Sequence, residues 1–310
     1  MSDWWMKGSP VDQAVNRVLA KPGPRLFVDT VNGNDRKRGE QWPEAVKTMG
    51  RAFELMTSLA TIYFTGNIRE QLVGPNTVFD VTFIGAANRT RNDGATWRAP
   101  ASAAADLPLL EIRAQGWRFH NILFNAPLDA AAIKLTRNAL ESAAEFDASH
   151  FNARDCAFIG GAIGIQDHGG CHNYLVERCR FRDFVSELGP DGIPAGILCT
   201  STAVAMPLRG TLRECEFINN VNHVLSSMSS FIVERNLFQR EGHQNEALVT
   251  LDTIHNSGQG GQNVVQKNTF AGFDAAEILN VNGFTGSASD SWIANECDDQ
   301  SAYGVPASGA

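Results

Sequence analysis

One short pattern returns five times between Phe151 and Phe270: an apolar residue, two polar residues, Cys or Asn, any residue, then Phe. It reads Ala153-Arg154-Asp155-Cys156-Ala157-Phe158, Val176-Glu177-Arg178-Cys179-Arg180-Phe181 and Leu212-Arg213-Glu214-Cys215-Glu216-Phe217. Two more copies are Val233-Glu234-Arg235-Asn236-Leu237-Phe238 and Val265-Gln266-Lys267-Asn268-Thr269-Phe270. A weaker copy, Phe119-His120-Asn121-Ile122-Leu123-Phe124, precedes them. A period of about 30 residues that varies by several marks a solenoid with its insertions confined to turns.

After each closing Phe comes a turn and a short alternating strand, at 132–135, 162–165, 196–199, 247–251 and 276–279. Alternation sends every other side chain inward. No helical stretch between the strands is long enough for a crossover, so the sequence predicts an all-β, right-handed parallel β-helix of about eight coils. Equivalent residues of successive coils then stack at about 4.8 Å. The phenylalanines form an internal aromatic stack, and Cys156, Cys179, Cys215, Asn236 and Asn268 a second ladder. A buried Asn bonds its neighbours above and below, and a buried Cys acts as a small apolar filler.

The segments divide as an N-terminal arm (1–24), a strand, turn and capping helix (25–60), the β-helix (61–300) and a short tail (301–310). In the arm, Ser9-Pro10 opens a helix with Val11 and Val15 on its apolar stripe, and Trp4 and Trp5 need burial. These four residues are the candidate partner-binding set. A second helix is expected from Pro43, with Val46, Met49, Phe53, Met56 and Leu59 facing inward as a lid over the open sheet edge.

A net charge of −8 disfavours nucleic acid as partner. No apolar run reaches the roughly 20 residues of a membrane span, and no basic region followed by a long apolar core marks a secretory signal. Six cysteines without a C-x-x-C pair argue for reduced structural thiols and against zinc. No cofactor is expected. The acidic and amide-rich turn 31–35 reads as a turn rather than a calcium loop, whose twelve-residue spacing it lacks.

The opening residues Phe27-Val28-Asp29, Asn32-Gly33-Asn34-Asp35, Pro43, Thr48, Ala52, Thr61-Ile62-Tyr63-Phe64, Gly66 and Arg69-Glu70 resemble those of pectin-lyase-like parallel β-helix proteins. Ile68 stands where that pattern often has Tyr. The resemblance implies the fold over residues 27–300, but it does not choose among the lyases, hydrolases, isomerases and virion proteins that share this fold. In pectate lyases it implies clustered Asp ligands for Ca²⁺ and an Arg base. The N-T-D, D-D and G-H-G motifs of the related hydrolases are missing.

Asp167, beside His168, and the loop acids Glu187 and Asp191 are the fallback catalytic set, since glycosidases need two carboxyls about 5.5 Å or about 6.5–9.5 Å apart. Glu177, Glu214 and Glu234 recur beside Arg178, Arg213 and Arg235, and read as cross-coil ion pairs on a solvated face. Trp97, Trp117 and Trp292 are expected in the core or at coil ends.

Missing lyase motifs, reduced cysteines, weak end caps and the Trp-bearing arm together favour a non-enzymatic bacteriophage capsid decoration protein. That reading brings a homotrimer, contact with a major capsid protein, and a virion location after synthesis in a host cytoplasm. The alternatives are a tailspike depolymerase binding surface polysaccharide, or a free polysaccharide lyase or glycoside hydrolase.

Overall fold

The computed structural model describes residues 23–86, 95–137, 147–188, 192–200, 209–226, 229–239, 251–252, 262–271 and 291–297. Its strands pair in parallel to form three sheets of ten, nine and seven strands, each coil of the solenoid giving about one strand to each. They are called sheets 1, 2 and 3, in that order. Sheet 1 begins at Arg25–Asp29, sheet 2 at Asn67–Arg69 and sheet 3 at Leu72–Val73. Among the described residues no helix is long and apolar enough to cross a membrane.

In-register pairing turns the sequence repeat into columns. The closing phenylalanines stack inside sheet 2: Phe124–Phe158, Phe158–Phe181, Phe181–Phe217, Phe217–Phe238 and Phe238–Phe270 have centroids 4.8–5.0 Å apart and nearly parallel planes. At that spacing each interior ring has its two faces covered by the rings above and below, so the column excludes water between them.

Sheets 1 and 2 meet at a corner of fixed form. One residue takes a left-handed conformation (Asn121, Asp155, Arg178, Glu214, Arg235, Lys267 and Ala294, φ 50–56°) and the ladder residue follows. Such backbone costs a non-glycine residue about 1–2 kcal/mol. Cross-coil bonds offset it: the Asp155, Arg178, Glu214 and Arg235 amides donate to the carbonyls of Glu177, Arg213, Glu234 and Gln266. The thiols of Cys156, Cys179 and Cys215, all buried and unbridged, donate to carbonyls of the preceding coil. Asn236 and Asn268 donate to Leu212 O and Val233 O, and Asn268 Oδ1 accepts both the backbone and side-chain N–H of Asn236.

The lid helix is shorter than the sequence predicts. It spans Met49–Leu55 and is capped by Thr48, whose hydroxyl accepts the Arg51 amide. Pro43 instead opens a 3₁₀ turn, Trp42–Glu44, and Val46 is drawn into a bridge with Val28. Met49, Ala52 and Met56 join the core, and Phe53 meets Phe83 and Trp117. Leu59 lies beyond the helix, 44% exposed. Glu70 fastens the lid to the first coil by accepting the Met49 and Gly50 amides at 2.8 and 2.7 Å.

Candidate functional site

From Asn121 onward the corner between sheets 1 and 2 keeps its two-residue form, after a longer connection at 86–95, and coil length also varies on either side of sheet 3. Connections 126–130, 160–162 and 183–194 lead into it, and 137–151, 169–174 and 201–210 lead out. The outer face of sheet 3 lies between these variable connections, a floor on which a fixed scaffold carries variable chemistry.

On that floor Lys134 pairs in register with Glu111 on one side and Gln166 on the other, and Thr136 pairs with His168. Ile133 and Leu135 are buried on either side of Lys134, so alternation turns the lysine outward. Glu111 Oε1 and Oε2 accept Arg113 Nε and Nη2 at 2.9 and 3.0 Å, and Thr136 Oγ1 donates to Oε1 at 3.0 Å. Burial pushes the Glu111 carboxyl up, but the Arg113 and Thr136 hydrogen bonds outweigh it and hold the group below its ordinary range. Glu111 thus stays anionic and committed, while Lys134 and the exposed His168 face outward. Gln166 is 6% exposed. The sequence signal for Lys134 is the single polar position in the alternating stretch 132–135.

Asp167, the first of the acids singled out from sequence, does not reach this face. Asp167 points into the coil, 1% exposed, where its two oxygens accept the Cys171 amide at 2.9 and 3.1 Å. Gly169 and Gly170, both at positive φ, reverse the chain to make that contact; a Cβ at Gly169 would lie 2.0 Å from the Arg137 carbonyl oxygen. Burial pushes the Asp167 carboxyl up to about 7, against the pull of the Cys171 bonds and the Arg137 charge. His168, the next residue, faces out, as strand alternation requires. Glu187 sits on an exposed loop and Asp191 lies outside the described residues, as do Trp4, Trp5, Val11 and Val15.

Nor are the clustered Asp ligands that the resemblance would imply for Ca²⁺ assembled. Among the described residues no three His, Cys, Asp or Glu side chains are grouped to hold a metal. Asp29 is turned onto the Val31 and Asn32 amides, and Asp35 onto those of Lys47 and Thr48. Trp97 and Trp117 are fully buried, their indole N–H groups donating to Glu70 O and Val78 O; the Trp292 side chain lies outside the description.

The recurring Glu–Arg pairs are not all solvated, contrary to the sequence reading. Glu177, 5% exposed, is approached by Arg154, Arg178 and Arg213 at 3.0, 3.2 and 2.7 Å.

No protein-family model matches the sequence, and neither does any curated protein. Solved structures do match. A rhamnogalacturonan lyase superposes with a TM-score of 0.52 at 12% identity, over 80% of this chain and 68% of its own. Pectate lyase Pel9A gives 0.47 at 12% identity, over 83% and 66%, so this chain spans just under two thirds of that protein. A pectin methylesterase from Aspergillus niger gives 0.39 at 12%, over 90% and 85%. At such identities the likeness shows the fold: a pectin-lyase-like right-handed parallel β-helix.

The same comparisons correct the expectation of a phage virion branch. The structure that superposes with a TM-score above 0.5 is a rhamnogalacturonan lyase and not a capsid decoration protein or a tailspike, so the choice of a virion branch is withdrawn. With it goes the ground for expecting a non-enzymatic protein.

Proposed function

We propose that the protein is a carbohydrate-active enzyme that binds an acidic polysaccharide along the outer face of sheet 3 and cleaves it by β-elimination. The observation that carries this reading is the arrangement of Glu111, Arg113, Thr136 and Lys134. Two-carboxylate hydrolysis needs a carboxyl free to donate a proton and a second one opposite it. On this face Glu111 is held ionised and already occupied, and Asp167 is turned away inside the coil. Elimination needs a base over the proton beside a uronate carboxylate, and positive charge to stabilise the anion that forms. Lys134 supplies the base in this reading, and His168 lies one step along the neighbouring strand to meet the sugar carboxylate. The base takes the C5 proton, its electron pair forms the C4–C5 double bond, the C4–O bond breaks, and the leaving oxygen takes a proton. The rhamnogalacturonan lyase among the matching structures is consistent with this chemistry.

The test is incubation with soluble uronic-acid polysaccharides while following the ultraviolet absorbance of the unsaturated product. Activity that falls by about 10²–10⁴-fold in Lys134→Ala supports the assignment. New reducing ends without unsaturation would replace elimination by hydrolysis, and undiminished elimination in Lys134→Ala would remove Lys134 as the base.

A further inference from the structure

The outer face of sheet 1 carries a second feature, on a different sheet from Lys134. Phe27 and Tyr63 are in register on the first two strands, their side chains outward and their rings stacked at 5.3 Å and 14°. Trp42 lies over Phe27 at 5.0 Å with its plane tilted by 59°. Trp97 and Trp117 are fully buried, but Trp42 is 41% exposed. Leaving aromatic surface in water forgoes about 25 cal/mol for every Å².

Trp42 is nonetheless held firmly. It begins a 3₁₀ turn with Pro43, its carbonyl accepts the Ala45 amide at 3.1 Å, and Lys37 Nζ donates to Pro43 O at 2.7 Å. Arg25 and Thr61, paired with each other two residues before Phe27 and Tyr63, put polar groups along the same face. A fixed, exposed indole with polar groups to one side suits a pyranose ring, whose C–H face stacks on an aromatic surface while its hydroxyls take hydrogen bonds. A second protein copy suits it less. A stable interface engages about 20–30 residues a side, and here three aromatic side chains are bordered by Arg25, Gln41, Glu44 and Thr61.

The geometry points to a glycan-binding platform at Trp42, backed by Phe27 and Tyr63, that holds a polysaccharide chain at a different sheet from Lys134. It makes no use of Lys134, so its binding is measurable where cleavage is abolished.

The experiment is retardation of the full-length Lys134→Ala protein in native gels containing polygalacturonate, its methyl-esterified form or galactan. Retardation by at least one of these, weakened about three- to ten-fold by adding Trp42→Ala and less by Trp42→Phe, supports the platform. Equal retardation with and without Trp42→Ala, or none by any of the three, overturns it. N-bromosuccinimide oxidation mapped to Trp42 by mass spectrometry supplies a second check. Ready oxidation that bound polysaccharide suppresses supports the site. Protection lost on deleting residues 1–22 overturns it, since the chain itself would then be the occupant. Failure of cleavage with retention intact would tell against the sheet 3 reading alone.

Discussion

Arg213 Nε donates to Glu177 Oε1 at 2.7 Å across adjacent coils, and Arg154 reaches the other oxygen of the same carboxylate at 3.0 Å. One acid nine-tenths buried thereby joins three coils of sheet 1, since residue 177 is in register with both 154 and 213. Removing it leaves guanidinium groups crowded together without their counter-charge.

Glu177→Ala is accordingly expected to lower stability by about 1–3 kcal/mol, discounted from a fully buried pair because the arginines are partly exposed. Glu214, whose pairing with Arg235 spans 3.6 Å between exposed side chains, serves as the contrast. Glu214→Ala should shift stability by no more than about 0.5 kcal/mol. Urea unfolding of both variants checks this, and equal losses would show that burial of Glu177 adds nothing.

Two buried groups set opposing pH dependences. The Asp167 carboxyl, pushed up to about 7, makes the folded state bind a proton more tightly than the unfolded chain. Its contribution is full below pH ~4 and is lost as pH rises through 7. Burial pushes the His223 imidazole down to about 3, so its contribution is full above pH ~6.5 and is lost as pH falls toward 3. The two offset each other between about pH 4 and 6.5. Asp167→Asn should therefore lose stability on acidification over that window more steeply than the parent, and gain on the order of a few kcal/mol at pH 8. His223→Gln should show the opposite slope. Denaturant midpoints taken across pH 4–8 decide it, and parallel curves for all three proteins would refute the linkage.

Asn268 bonds along the ladder in both directions, accepting from Asn236 and donating to Asn295 Oδ1 and Val233 O. Asn268→Ala should cost about 2–4 kcal/mol, because buried partners are left unpaired on both sides. Asn268→Cys should cost less, since thiols at the three lower rungs reach the carbonyls of the coil before them. Urea titration of the two variants orders them, and an equal loss would mean that volume alone matters at this rung.

Glu111 is expected to act by positioning. Glu111→Gln keeps the shape but frees Arg113 and removes the negative charge beside Lys134, so the pH profile of cleavage should move while the unfolding midpoint stays within about 0.5 kcal/mol of the parent. An unchanged profile would make the Glu111–Arg113–Thr136 set purely structural.

The repeat made the Phe column and the Cys/Asn ladder legible, because a residue whose neighbours are copies of itself keeps its role from coil to coil. The lid boundary was not legible. Pro43 and the apolar stripe mark a helix, but Val46 gains more by pairing with Val28 than by a helical turn. Asp167 was visible as an acid next to a histidine, yet its inward direction depends on the register of a strand whose ends sequence leaves uncertain. Lys134 and Glu111 are separated by about 80 Å of extended chain, and only pairing of their strands brings them side by side. Trp42 drew no notice because nothing local distinguishes a wet indole from a buried one.

The two-residue corner that sheets 1 and 2 keep from Asn121 onward also limits where novelty can enter those coils. A lengthened segment there would break a left-handed turn, a ladder rung and the cross-coil amide bonds together. Inserted at the other two corners, the same residues disturb no column and emerge beside sheet 3. A lineage built on this coil can therefore acquire a new specificity without retuning its interior, and a grafted recognition loop has two corners per coil that would accept it.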